Sequence, residues 1–234
     1  MSITALQVVT PPGLLPVSLV EAKRHLRVTH SAEDANISDI IKAATSWAET
    51  ETRRRMIEQV VTLSMDRFPR RGEFVHTHGH AFEAIHFAHT NEYGRQFDSS
   101  ARDRAIFLPG GVTTAVNKID YTDELGAPQS LTGPTSAAPG TDYQEDLTDD
   151  EGGWVSPAED GDWPGVALGK LNAVVIEFKV GYSDDPDGVP DIVKQAIKFR
   201  IGDLFNVRSS TDGKGGGIGD TASNLLEPYR IQMF

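Results

Sequence analysis

The stretch at residues 189–208, VPDIVKQAIKFRIGDLFNVR, constrains this chain more than any other. Pro190 sits where a first helical turn tolerates proline, and Asp191 places an acid at the positive end of the helix. Val193, Ala196, Ile197, Ile201, Leu204 and Phe205 then recur at helical spacing and make one apolar stripe, while Lys194, Lys198 and Asp203 point elsewhere. Turn formers follow at Ser209, Ser210, Thr211, Asp212 and Gly213. The result is a helix of about five turns, long enough to be the central packing element. Val193, Ile197, Ile201, Leu204 and Phe205 are its predicted core contacts. A strand-like AVVIEFKVGY precedes it, and a tail ending LLEPYRIQMF follows.

What such a helix packs against is legible in chain order. Residues 6–16 read as an extended arm, with Val8 and Val9 before a Pro-Pro-Gly break. Ser18 caps a short helix, LVEAKRHLRV, with Glu21 as its capping-box partner and Leu19, Ala22 and Leu26 as its apolar face. A second cap signal at residues 31–34 opens a longer helix running to about Arg53, with the stripe Ile37, Ile40, Ile41, Ala44, Trp47 or Ala48, and Glu51. Arg53, Arg54 and Arg55 close it where cations suit the helix dipole; contact with DNA or an acidic partner is the alternative use.

Next, IEQVVTLSMDRF alternates in β fashion, with Val61, Leu63 and Met65 on one side. AIFLPGG and VNKIDYTDELG predict two further strands with a turn at residues 124–126. Residues 127–165 hold short strand candidates only around Tyr143 and around Trp154 and Val155, and 173–182 is the clearest strand of the chain. The order predicts an α+β fold: a small helical bundle of two N-terminal helices plus the long C-terminal one, a β-rich insertion between them, and an extended C-terminal tail. The predicted division is 1–56 with 189–210 as helical core, 57–188 as insertion including a His-rich elaboration at 70–104, and 211–234 as flexible linker and docking tail.

Composition narrows the function classes. There is no cysteine among the 234 residues, so disulfides and zinc–thiolate sites are excluded. No apolar run approaches the roughly 18 residues of a membrane span, and the N-terminus lacks the pattern of a secretory signal. A soluble protein kept in a cytoplasm is the simplest class. The net charge of −12 is uneven: residues 119–169 hold twelve acids and no Lys or Arg. Removing those twelve from the 34 acids leaves 22, equal to the Lys plus Arg count, so the whole excess belongs to this segment. It cannot grip DNA phosphates, but it suits either a surface that DNA slides past or a solvated loop that aids solubility.

An ordered series of motifs carries a resemblance. VSLVEAKRHLRV is followed by a helix ending RRRMIEQ, a strand ending DRFP, then FLPGG, a strand leading to Tyr121, Thr122 and Asp123, and a late Trp163-Pro164. A strand ending Gly181-Tyr182, VPDIVKQAIKFRIGDLF and LLEPYR complete it. In order and spacing the series resembles the head–tail adaptor (connector, or head-completion) proteins of tailed bacteriophages and gene transfer agents. The His-rich stretch, and an arginine where the family often has glycine after the second helix, depart from the pattern.

The resemblance implies a structural virion protein without catalysis or cofactor. It implies a ring beneath the portal protein, of about twelve copies since a cyclic interface must close. The ring would extend the DNA channel and offer the surface on which a stopper or tail-completion protein attaches. Double-stranded DNA would pass through without specific binding, and no membrane is involved. The implied location is the head–tail interface of the virion, with assembly in the bacterial host cytoplasm.

The competing reading is a metal-binding, cupin-like module built on GEFVHTHGHAFEAIHFAH. His76, His78 and His80 alternate and would share one face of a strand, with Glu83 following. The flanking glycines fall in the wrong places and no second histidine motif follows, so no complete ligand set is legible and no metal is expected. DLTDDEGG puts Glu151 where a calcium loop needs glycine. GKGGGIG follows a helix and lacks the Ser or Thr after the lysine that a P-loop requires. Its glycines predict a flexible linker instead. Beyond that linker, Leu225, Leu226, Pro228, Tyr229, Arg230, Ile231, Met233 and Phe234 are predicted to dock on the portal or a neighbouring subunit, with Tyr229 and Phe234 as anchors and Arg230 pairing with an acid. Folding back onto the chain's own domain is the alternative.

Overall fold

A computed structural model describes residues 3–70, 104–134, 142–158, 161–206 and 218–231. The chain divides into two compact units, each assembled from two separated pieces: residues 1–10 with 60–180, and residues 11–59 with 181–234. The class is α+β, with four α-helices and two antiparallel sheets among the described residues. The division differs from the expected one at four places, the smallest being residues 57–59, which belong to the helical unit rather than the insertion. Residues 1–10 belong to the β-rich unit rather than the helical core, 181–188 belong to the helical unit, and so do the described residues of the tail. Among the described residues no helix is long and apolar enough to cross a membrane.

In the helical unit, α1 (Leu19–Leu26) starts at the predicted cap. The Ser18 hydroxyl accepts from the Glu21 amide while the Glu21 carboxylate accepts from the Ser18 amide, so two N–H groups that no turn of helix would satisfy are paired. α2 (Asp34–Thr52) buries Ile37, Ile41, Ala44 and Ala48; of the pair Trp47 and Ala48, it is Ala48 that faces the core. Trp47 lies partly buried under the Arg200 guanidinium, 5.3 Å from its ring centre. α3 (Asp191–Asn206) is the predicted long helix. It packs against α1, α2 and α4 (Ile218–Leu226), and it buries Val193, Ala196, Ile197 and Ile201, with Leu204 and Phe205 partly buried beside them.

Pro190 is not inside α3; its carbonyl accepts from Lys194 and so begins the ladder. Lys194 does not point outward as predicted. Its aliphatic stem is buried and only its ammonium reaches the surface, 3.4 Å from the exposed Asp187, the snorkelling that a long amphipathic side chain permits.

The β-rich unit contains a five-stranded sheet in the order β1-β2-β8-β4-β5, from β1 (Ile3–Thr10), β2 (Gln59–Met65), β8 (Val174–Val180), β4 (Thr113–Thr122) and β5 (Pro128–Leu131). A three-stranded sheet has the order β3-β7-β6, from β3 (Ile106–Pro109), β7 (Gly152–Pro157) and β6 (Tyr143–Asp146). The arm expected at the start of the chain is therefore an edge strand, antiparallel to β2.

β2 and β8 both alternate buried and half-buried positions along their length. Val61, Leu63, Met65, Ile176, Phe178 and Val180 thus enter one core, which Ile106, Leu108, Tyr143 and Val155 of the small sheet share. The turn from β3 to β4 is the LPGG motif: Gly110 and Gly111 have φ of 117° and 96°, where a side chain would be strained. Two other recurring motifs meet. Phe68 of DRFP stacks on Trp163 at 4.7 Å, and the Trp163 indole N–H donates to the Arg104 carbonyl.

Candidate interface surfaces

The tail was expected to be free, and its described part is not. α4 and the single 3-10 turn at Glu227–Tyr229 return it to the helical unit. Ala222, Leu226 and Ile231 are buried, and Leu225 and Tyr229 pack against the same core from the side. Pro228 is exposed, and Met233 and Phe234 lie outside the described residues. The arginine triplet explains why the segment stays. Arg54 Nε donates to the Tyr229 carbonyl at 2.6 Å, Arg53 Nη1 donates to the Ile231 carbonyl at 3.2 Å, and the Ile231 amide returns to the Thr52 carbonyl at 3.0 Å.

Arg230 pairs with Glu51, so its acid partner belongs to this chain's own α2. Of the residues expected to dock, Leu225, Leu226 and Tyr229 thus pack against the chain's own helical core, and Ile231 is buried. The carbonyls ending the chain's last turn find cationic donors within the unit, and the apolar stripe of α3 takes the leucines as cover. Arg55 pairs with Glu49 at 3.0 Å. None of the three arginines is simply a dipole-stabilising exit, since each has a specific acceptor.

The acidic segment is also more structured than a solvated loop. Asp123 accepts from the amides of Leu125 and Ala127, Asp142 from that of Thr132, Asp146 from that of Thr148 and Asp149 from that of Glu151. Short carboxylates here satisfy turn amides that no strand partner reaches. Hydrogen bonds from Gln129 and from the turn backbone hold Asp123 below its ordinary pKa. Burial works to raise Asp120, but bonds from Ser130 and Lys118 outweigh it and keep the group low. Burial pushes Glu145 upward without such help. The segment therefore presents charge that persists well below neutral pH at the β4–β5 turn. Glu159 and Asp160 lie outside the described residues.

At this end of the β-rich unit the surface is also apolar. Leu125, Leu168 and Leu171 are 94%, 89% and 73% exposed. Residues 166–171, with Asp66 and Arg67, line a shallow pocket of about 400 Å³. Lys170 donates to the Thr122 hydroxyl at 2.7 Å. These leucines were not singled out in the sequence, where isolated leucines in turns look unremarkable. The His76, His78 and His80 cluster lies outside the described residues, and among the described residues no group of three or more metal-binding side chains converges.

With this geometry in hand, likeness to known proteins is informative. Residues 16–102 match the model of the phage gp6-like head-tail connector protein family. In fold, the chain is similar to a chain from the neck of an empty GTA particle computed with C6 symmetry, at a TM-score of 0.69 and 17% identity, covering 99% of this chain and 98% of that one. It is equally similar to a chain of the virion of a native gene transfer agent (GTA) particle. A chain from the neck of the native GTA particle computed with C12 symmetry gives a TM-score of 0.67 at 16% identity, with the same coverage. No curated protein matches by sequence. Residues 16–102 thus match a connector-family model, and the fold of the whole chain is similar to that of chains in gene transfer agent neck structures.

Proposed function

We propose that this protein is a head–tail adaptor: a structural neck component that forms a ring under the portal, extends the DNA channel and receives a stopper or tail-completion protein. The observation that carries the reading is the full-length fold likeness to GTA neck chains, with the connector-family match over residues 16–102 beneath it. The ring follows from the symmetry of the necks in which those neighbours sit. A cyclic assembly of one chain must close, and about twelve copies would match C12.

The acid-only segment at 119–169 supports a channel role, because a wall bearing carboxylates without Lys or Arg repels phosphates and lets DNA move past. Its turn aspartates are held ionised, so that repulsion is not lost near neutral pH. No catalytic step belongs to this reading. The described part of the predicted docking tail is held by the arginine contacts described above, so any docking by Tyr229 or Ile231 on another subunit competes with them.

The test is to mix the purified full chain with portal-bearing heads assembled without it, and to image the vertex by cryo-electron microscopy. Ring density capping the portal, followed by tail attachment, is the expected result. Heads that stay bare at saturating protein, or that accept tails without it, would overturn the proposal.

A further inference from the structure

Among the described residues, two places combine the most exposed apolar side chains with charged neighbours. The first is the leucine-tipped end of the β-rich unit. Leu125 tops the β4–β5 turn, and Leu168 and Leu171 top the loop before β8. These tips are built rather than loose. Ala167 donates its amide to the Thr122 carbonyl at 3.1 Å, the Thr122 amide reaches the Ala173 carbonyl at 2.8 Å, and Asp66 accepts from the Asn172 amide at 3.1 Å. Asp123 and Glu124 share the turn with Leu125, while Asp66, Arg67 and Lys170 line the pocket with Leu168 and Leu171, Lys170 being engaged with Thr122. The second surface is on α1, whose start is fixed by the Ser18–Glu21 cap. Val20 is 65% exposed and Leu14, just ahead of the helix, 53%. Arg24 follows Val20 at i+4 on the same face and is exposed, and Arg27, the left-handed cap just past the helix, is exposed too.

An exposed apolar patch that a fold holds in place marks an interaction site. If two copies met leucine end to leucine end, the acids would oppose each other, and the contact would close as a dimer. A closed ring instead needs two different, complementary surfaces on one chain.

We propose that the Leu125, Leu168 and Leu171 tips of one copy dock on the Val20, Arg24 and Arg27 face of the next. This is the head-to-tail contact that closes the ring, and it rests on the adaptor reading above. The leucines supply the apolar centre, and the acid-to-arginine pairing sets the direction in which copies add.

Because the chain has no cysteine, the contact can be trapped cleanly. The full-length Val20→Cys, Leu168→Cys double variant, checked for unchanged melting, is treated with a short bismaleimide, alone and with portal-bearing heads. The expected result is a covalent ladder rising to ring size, with either single variant giving less than about a tenth of the linked product. Adding Arg24→Glu and Arg27→Glu should cut linking at least tenfold, and Glu124→Lys should restore part of it. A Leu168→Cys single variant that links as fast as the pair would overturn the inference, since leucine ends would then face each other. A double variant that stays unlinked while its rings form normally by mass photometry also overturns it, and leaves the ring intact as a reading. Neither rings nor links, even on heads, would remove the adaptor reading along with it.

Discussion

Replacing Leu226 with Ala tests whether the end of the chain is part of the fold. Leu226 is fully buried in the helical core that also holds Val193, Ile197 and Ile201 of α3. A buried Leu→Ala change removes the transfer energy of the lost carbons and leaves a cavity, together about 2–5 kcal/mol. Against a total of roughly 5–15 kcal/mol, that is a large loss. If the helical unit melts as one, its midpoint should fall by about 4–20 °C, at 2–4 °C per kcal/mol for a chain of this size. If α4 opens first, melting moves less, and the loss appears in hydrogen exchange. At about 1.4 kcal/mol per tenfold, protection of the α4 amides should drop about 30- to 4,000-fold. The assay is hydrogen exchange read by mass spectrometry on wild-type and variant, with calorimetry beside it. Wild-type α4 amides that exchange like an open chain, together with an unchanged melt in the variant, would refute the docked tail and restore the free one.

Three shorter expectations follow from the same packing. Ile197→Asp places an unpaired charge among fully buried side chains of α3, a cost of several kcal/mol; soluble expression with wild-type melting would contradict the core assignment. Gly181→Ala should cost about 1–3 kcal/mol or more, because φ is 141° and a Cβ would meet the Ile57 carbonyl at 2.6 Å; chemical denaturation giving an unchanged midpoint would count against it. Glu21 has its pKa lowered by the Ser18 amide first and then by the Ser18 hydroxyl and Lys198. Its contribution is therefore present above the unfolded value of about 4.3 and disappears as pH falls through the lower folded value. An NMR titration of its side chain should show a midpoint below that of the unfolded chain measured in the same buffer, and one at or above it would dismiss the capping box as a stabilising element.

Local chemistry was the legible part. The capping box at Ser18 needs only residues three apart, and the alternation of β2 and β8 is written in consecutive positions. The apolar stripe of α3 likewise marked the helix that touches all three others. β5 was missed because PQSL is short, polar, begins with proline and pairs only as an exposed edge. The first strand looked like an arm because its cross-strand partner among the described residues, β2, lies about fifty to sixty residues away.

The tail misled for a similar reason. A glycine run ahead of it suggested freedom, while the donors that hold it, Arg53 and Arg54, lie 178 and 175 residues earlier. No spacing rule reaches that far. The leucine tips were illegible because exposure is a property of the folded surface and leaves no periodic trace.

The two-piece construction of the helical unit has a consequence for how the protein is made. α2 ends at Thr52 and α3, the element that covers its buried face, begins at Asp191. At about 5–20 residues per second, the ribosome spends roughly 7–28 seconds on the intervening chain. During that interval Ile37, Ile41 and Ala48 have no lid, whereas the β-rich unit is complete as soon as β8 emerges. Vectorial synthesis therefore completes the inserted unit first, and proteolysis of a chain truncated at residue 190 and released from the ribosome should cut α2 freely while sparing the five-stranded sheet. For such a molecule the period of greatest exposure to misassembly falls during translation.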